Sequence, residues 1–258
     1  MRILLALPWL LAAACSTPSL DLTPRLALLE PDGSFGFNDT TGQQVQQDLQ
    51  DNLGLEKDSS SIGLRADLDL GAPHLTASIQ GSTHDGQGRL SGEVEYDGEV
   101  VDANASVSTG FDLTNYSFIA TWDLIPTDNF ELGLGLGANL LDIRMDVQSN
   151  DDPSQSIAFD ELAPVPVVAV RVGGEIGPVS LSGLASGLSV SVGDLDATYI
   201  DLDLMAKLRL LGDKGKLAGS LAAGWRHTKL DAELDDEADQ VDLDLAFSGP
   251  WFGATIGF

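Results

Sequence analysis

Long stretches of this chain alternate apolar and polar side chains with a period of two. Ile62, Leu64, Ala66, Leu68 and Leu70 interleave with Gly63, Arg65, Asp67 and Asp69. Phe130, Leu132, Leu134, Leu136, Ala138 and Leu140 interleave with Glu131, three glycines and Asn139. Ile200–Leu210 and Val241–Phe247 repeat the pattern, with Asp201, Asp203, Lys207 and Arg209 opposing the leucines of one and Asp242 and Asp244 those of the other. Side chains along a strand point alternately to opposite faces, so each segment carries one apolar and one polar face. The pattern predicts strands at 24–37, 61–70, 74–84, 111–124, 130–147, 156–172, 178–192, 196–211, 216–233 and 240–258. Pro31-Asp32-Gly33 interrupts the first, and eight strands remain if it and one other drop out.

Alternation alone fits a soluble sandwich as well as a membrane barrel. Strand length separates them: soluble strands average about five or six residues, whereas several runs here hold phase for about ten, the span of a tilted transmembrane strand. Inside hydrocarbon only helices and closed barrels pair every backbone group. The expected fold is therefore all-β, a closed antiparallel transmembrane β-barrel of about ten strands with apolar faces to lipid and polar faces to the lumen. The tight connections Gly71–Pro73, Pro126–Asn129, Gly173–Gly177 and Gly212–Gly215 fall at one end, with the polar stretches 38–60, 149–155, 193–195 and 234–239 at the other. The excursion 85–110, with Asp97-Gly98 at its centre, predicts a β-hairpin standing above the membrane surface. Trp122, Trp225, Trp251, Tyr199, Phe130 and Phe258 lie toward strand ends, as an interfacial girdle requires.

Inward positions are assigned to Arg65, Asp67, Asp69, Glu131, Asp142, Arg144, Asp146, Arg171, Asp201, Asp203, Lys207, Arg209, Arg226, Asp242 and Asp244. A barrel of this size is narrow enough for side chains to fill. A plug of ion pairs is the expectation, because a basic group or a carboxylate left unpaired there is costly; a narrow charged pore is the alternative.

Composition sharpens this picture. The 258 residues carry 40 acidic and 13 basic side chains, a formal charge of −27, yet 43% are hydrophobic, and mean hydropathy is slightly positive. So acidic a chain repels nucleic acid, and so apolar a chain is not a disordered acidic tail. Surplus acid is expected in outer loops at Asp48, Asp51, Asp151, Asp152, Asp194, Asp196 and Asp235–Asp239, with divalent cations loosely held there. No stretch matches a calcium-binding loop, and neither a metal site nor a cofactor is expected. Met1–Ala14 reads as an export signal: Arg2, a short apolar run and small residues. Cys15 follows, then a tether over 15–23 and the barrel over 24–258.

Three resemblances extend the reading. Leu11-Ala-Ala-Ala-Cys15 resembles a bacterial lipobox, which implies a lipidated Cys15, although Ala12 stands where leucine is usual. The last ten residues, with Phe252, Ala254, Ile256 and Phe258 on one face, resemble the C-terminal signal read by the outer-membrane barrel assembly machinery. The segments Leu124–Gly137, Gly224-Trp-Arg-His227 and Ser248–Gly253 resemble small Gram-negative outer-membrane barrels of the OmpW and OmpA-transmembrane-domain kind. That resemblance implies an outer-membrane location, contact with its lipid, and a structural or envelope role, or else a narrow channel for small solutes or hydrophobic molecules. Catalytic signals are weak. His74 sits at a predicted turn and reads as a surface residue; His227 reads as a rim residue. His84, followed by Asp85 and near Ser82, is the one hydrolase candidate, because ten-stranded outer-membrane proteases use Asp and His at that level. The expectation is no enzyme.

Overall fold

A computed structural model describes residues 18–258 apart from 58, 72, 127–129, 193, 194, 213–216 and 236–239. The export signal, Cys15, Asp194 and the acidic run 236–239 thus lie outside the described residues. The strands are β1 (Ser19–Leu28), β2 (Glu30–Asn38), β3 (Gln44–Asp48), β4 (Ser60–Asp69), β5 (Pro73–Arg89), β6 (Val94–Tyr96), β7 (Glu99–Val101), β8 (Ser106–Pro126), β9 (Phe130–Ser149), β10 (Ser156–Ile176), β11 (Val179–Val192), β12 (Leu195–Leu211), β13 (Ala218–Asp235) and β14 (Gln240–Gly257).

Ten of these form the wall of a closed antiparallel barrel, in the order β1-β4-β5-β8-β9-β10-β11-β12-β13-β14, with β14 pairing back to β1. The wall starts at Ser19, five residues earlier than the expected boundary at 24, so 19–23 is strand rather than tether. Nor does Pro31-Asp32-Gly33 break the first strand's main ladder. β1 and β2 follow β14 in one unbroken register, from Leu22↔Ile256 to Gly36↔Asp242. Only the opposite edge changes partner, from β4 below to β3 above.

Apart from bulges near the lower ends of β8 (Asp123/Ile125) and β12 (Arg209/Leu211), facing positions hold along each strand, but their chemistry changes. On β9 the outward residues run Phe130, Leu132, Leu134, Leu136, Ala138 and Leu140, then Asp142, Arg144, Asp146 and Gln148. The inward ones run Glu131, Gly133, Gly135, Gly137 and Asn139, then Leu141, Ile143, Met145 and Val147. On β14, Phe252, Ala254 and Ile256 face out below, while Leu243, Leu245 and Phe247 face in above. The lower barrel is therefore apolar outside and polar inside, and the upper barrel is the reverse. Strand length makes room for both: β8 and β10 have 21 residues each, roughly 70 Å at ~3.4 Å per residue, against an apolar band of ~25 Å.

The upper interior is a hydrophobic core. Phe35 stacks near Phe37 and meets the edges of Phe111 and Phe159. Leu49, Leu53 and Leu55, from the connection after β3, are buried among them. This connection lies against β5 at Gly88, where a Cβ would sit 2.0 Å from the Asn52 carbonyl oxygen. The β6–β7 hairpin turns at Asp97-Gly98, both in the left-handed region, as expected. It does not stand clear of the barrel, however. Val94 and Val101 are buried, and Tyr96 packs against Phe37 and Phe159, so the hairpin caps the upper mouth. Its apolar residues at alternate positions have a core to join.

Truncating Phe35 to Ala should cost about 3–5 kcal/mol, as for other buried aromatics. Denaturant titration of the folded protein in detergent measures it; a loss below 1 kcal/mol would mean the upper half is not a packed core.

Candidate functional site

The lower lumen collects charged side chains from most of the wall strands, because polar residues at alternate positions have no other water-free place to pair. Its tightest layer crosses the barrel. Asp203 on β12 accepts from Arg25 Nη1 of β1 at 2.6 Å and from Arg65 Nη1 of β4 at 3.0 Å. Trp251 of β14 donates its indole N–H to the same carboxylate at 3.2 Å, and the Arg25 guanidinium lies 4.1 Å from the Trp251 ring centroid. Beside it Arg226 of β13 grips Asp201 with two bonds of 3.1 and 3.0 Å, and Thr228 adds a third at 2.8 Å. Arg65 Nε also reaches Asp67, at 2.8 Å, which accepts from Thr76. Three arginines thus meet three aspartates, so the layer is neutral. Gly224 makes room for it: a Cβ there would lie 2.4 Å from the Trp251 ring.

Below this layer lies a charged vestibule, at the end where Ser19 and Leu20 meet Phe258. A cavity of 150 Å³ there is lined by residues including Asp21, Asp69, Glu131, Arg171 and Lys207. Lys207 Nζ is 2.6 Å from Asp21, and Arg171 joins Asp123 at 2.6 Å and Glu131 at 2.5 Å. His74 Nε2 is 3.0 Å from Asp123, and its Nδ1 is 3.6 Å from Asp69. A second cavity of 100 Å³ shares Asp21, Glu175 and Lys207 and reaches Arg209. Above the layer, Asn115 of β8 donates to Tyr199 Oη of β12 at 2.9 Å, and the apolar core follows.

Ten of the anticipated lumen residues occupy this interior: Arg65, Asp67, Asp69, Glu131, Arg171, Asp201, Asp203, Lys207, Arg209 and Arg226. Asp142, Arg144, Asp146, Asp242 and Asp244 do not. They face outward above the apolar belt, where Arg144 pairs with Asp142 and Asp160 and Lys229 pairs with Asp244. The polar face of these strands is the inner face only while lipid surrounds the outer one. Trp251 and Tyr199 are lumen residues rather than girdle residues, while Trp122, Trp225, Phe130 and Phe258 are exposed on the outside. Phe252 and Ile256 also face out at the lower end of β14. His74 is inside the vestibule rather than at the surface, placed there by the parity it shares with Thr76 on β5.

Sequence reasoning also missed Asp21, Arg25 and Asp123. Leu22, Leu26 and Leu28 alternate around Arg25 and could have revealed it; Asp21 was hidden by the assumed tether.

His84 is enclosed in the upper core between Phe111 and Phe247, with centroids 6.4 and 5.9 Å away. Its Nδ1 lies 3.2 Å from the Glu56 carbonyl oxygen, and Nε2 has no partner. Burial pushes its pKa below the usual histidine value, against smaller opposing effects of the Glu56 carbonyl, Asp112 and Asp85. Among the described residues, no group of three or more His, Cys, Asp or Glu side chains is arranged to hold a metal ion.

No protein-family model matches the chain, and no curated protein matches it in sequence. Among solved structures it is similar to the outer membrane protease OmpT from Escherichia coli, at a TM-score of 0.53 and 10% identity, covering 93% of this chain and 97% of that one. It also aligns with Neisserial surface protein A (TM-score 0.34, 10% identity, 94% and 100% covered) and with the Pseudomonas putida toluene transporter TodX (0.32, 8%, 94% and 89%). Only the first is near enough in shape to carry an argument, and it argues for the fold alone. The fold is a closed ten-stranded barrel of the outer-membrane kind.

Two outcomes follow from this geometry. Asp203→Asn removes the charge shared by two buried arginines and should destabilise the barrel by about 3–5 kcal/mol, read as a lower unfolding midpoint in detergent. The second concerns pH. Because His84 is held neutral, the unfolded chain binds its proton first as the pH falls. Stability from this site is complete above the ordinary histidine value of about 6.5 and is lost below it. His84→Phe should therefore flatten the fall in unfolding midpoint between about pH 7.5 and 5.5; an unchanged slope would assign the fall to other groups.

Proposed function

We propose that this chain is an integral barrel of a bacterial outer membrane, lumen closed, with a structural or envelope role and an acidic face turned outward. The observation that carries this reading is the transverse layer of Arg25, Arg65, Arg226, Asp67, Asp201 and Asp203, backed by an apolar core that fills the upper barrel. A solute entering the vestibule meets two successive obstructions of opposite polarity. The belt of outward Leu, Val and Phe side chains fits burial in lipid. In this reading the C-terminal Phe252, Ile256 and Phe258 are presented to the barrel assembly machinery, and lipid is the principal partner. The resemblance to OmpW- and OmpA-type barrels supports the class.

The tether reading is part of the same proposal. Cys15 precedes Ser19 by four residues, and Ser19 opens β1 at the vestibule end. Acyl chains on Cys15 would enter the leaflet on that side, beside the β1–β14 junction. Carboxylates of the outer loops, Asp51, Asp151 and Asp152 among them, are exposed and would hold divalent counter-ions loosely. We read the protein as non-catalytic, since its one histidine of catalytic interest is enclosed by phenylalanines.

A narrow channel is the second reading, favoured by the charged vestibule of 150 Å³. Planar-bilayer recording separates the two. The closed barrel should be electrically silent after insertion, whereas steady, reproducible conductance steps would overturn the closed lumen.

A further inference from the structure

At the upper edge of the apolar belt, where β11 already turns the exposed Ser189 and Ser191 outward, the ladder between β10 and β11 is interrupted along a seam. The β10–β11 ladder stops at Val168↔Gly187. Above it, Ala163–Val167 pair only with β9, and Leu188–Val192 only with β12. The gap is five residues long on each bank, about 17 Å at ~3.4 Å per residue.

The cause can be read from the phase of the backbone. Ser149 N donates to Gln155 O, so odd-numbered residues of β10 turn their backbone groups toward β9. Even-numbered residues turn theirs toward β11, and two of these are Pro164 and Pro166, which have no N–H. The register Val168↔Gly187 makes Ser189 and Ser191 the residues of β11 that point back at them. Their carbonyls face an edge stripped of donors. At this boundary, carbonyls that find no donor across the seam need one from elsewhere.

Side-chain exposure agrees. Ala163, Val165, Leu188 and Val190 occupy inward positions yet are only partly buried, while Val167, Ala169 and Leu184 just below are fully buried. Outside, Leu162, Pro164 and Pro166 of β10 are exposed and apolar, and Ser189 and Ser191 of β11 are exposed and polar. Behind the seam stands Asn139, the ladder partner of Val165. It is 1% exposed, and neither atom of its amide has a hydrogen-bond partner; Asn115 Oδ1 is also unpartnered. Buried amides left without partners are costly, and a ligand that supplies one is favoured.

We propose that the seam is a lateral binding slot for a neutral single-chain amphiphile. Its alkyl chain lies between the two banks, and a hydroxyl or amide head supplies the missing donor to the β11 carbonyls and to Asn139. Asp160, Glu161 and Asp196 are exposed at the upper mouth and disfavour an anionic head. The slot rests on the reading that the belt lies in a bilayer.

The test uses a diazirine-bearing dodecyl alcohol in phosphatidylcholine vesicles containing the full chain in a Cys15→Ser background. Photo-adducts are mapped by peptide mass spectrometry. Adducts at 163–167 and 188–192 should exceed those elsewhere on the belt several-fold. Extending the ladder register sets Val165 opposite Val190, so V165C/V190C, oxidised, should draw the seam shut and reduce its labelling to the belt average, with reduction restoring it. Asn139→Leu should lower seam labelling while leaving the rest of the belt unchanged. Even labelling around the belt, or seam labelling indifferent to the disulfide, would overturn the slot. Absence of adducts from the whole belt would instead overturn the membrane reading beneath it.

Discussion

A β-strand cannot change which side chains face inward without a bulge or a break, yet a strand that leaves a membrane exchanges lipid for water on its outer face. The rest of this molecule follows from that constraint. Below the boundary, the outward positions must be apolar, so the inward ones are free to be charged. Above it, water takes the outward positions, and the hydrophobic residues needed for stability can only go inside. β9 passes through this boundary at Leu140 and Leu141, two consecutive leucines that face opposite ways. One barrel thus contains a membrane-type half and a half organised like a soluble protein, joined by the same ten strands.

The two halves solve the packing of a narrow interior by different means. The upper one uses ring contacts and aliphatic burial, with the hairpin and the connection after β3 as filling. The lower one uses charge, and there the geometry is exacting, because a buried ion pair helps only if its remaining hydrogen-bonding groups are also satisfied. Asp203 meets this with three donors, and Asp201 with a bidentate arginine and a hydroxyl. Arg25 meets it incompletely: its Nε and Nη2 have no hydrogen-bond partner, and the Trp251 face takes their place. Glycine at 224 is part of the same arrangement, since the indole occupies the space a side chain would need.

Much of the wall was legible from alternation alone, including the strand count and the inward set around Asp201, Asp203, Arg65 and Arg226. Misplacement of Asp142, Arg144, Asp146, Asp242 and Asp244 has one cause: polar was equated with inward along whole strands. The contrary signal was present. The apolar residues of β14 occupy odd positions up to Phe247 and even positions from Phe252, a parity exchange with no bulge in the ladder to β13. Paired identical classes, such as Leu140-Leu141, mark where one solvent gives way to the other. Other features were not legible by any local pattern. Joining Arg25 of the first strand to Asp203 depends on closure of the barrel, and the inward fold of the hairpin depends on the core it meets. The two prolines of β10 were visible, but which edge they disarm depends on the hairpin bond between Ser149 and Gln155.

The closing ladder has a kinetic meaning. Thr23 and Thr255 share a hydrogen bond across 232 positions of sequence, and β1 with β2 follows β14 along most of its length. The other wall ladders join strands much closer in sequence: most close as simple hairpins, while β1–β4 and β5–β8 close over the two short strands between them. This one brings the two ends of the polypeptide together, and contacts of such separation carry the largest loop-closure cost and form slowly. Until it forms, the nascent sheet has two raw edges, and Arg25 is absent from the carboxylate it will share. Zipping the first strand to the last therefore completes the wall and the charge balance of the lumen in a single late event.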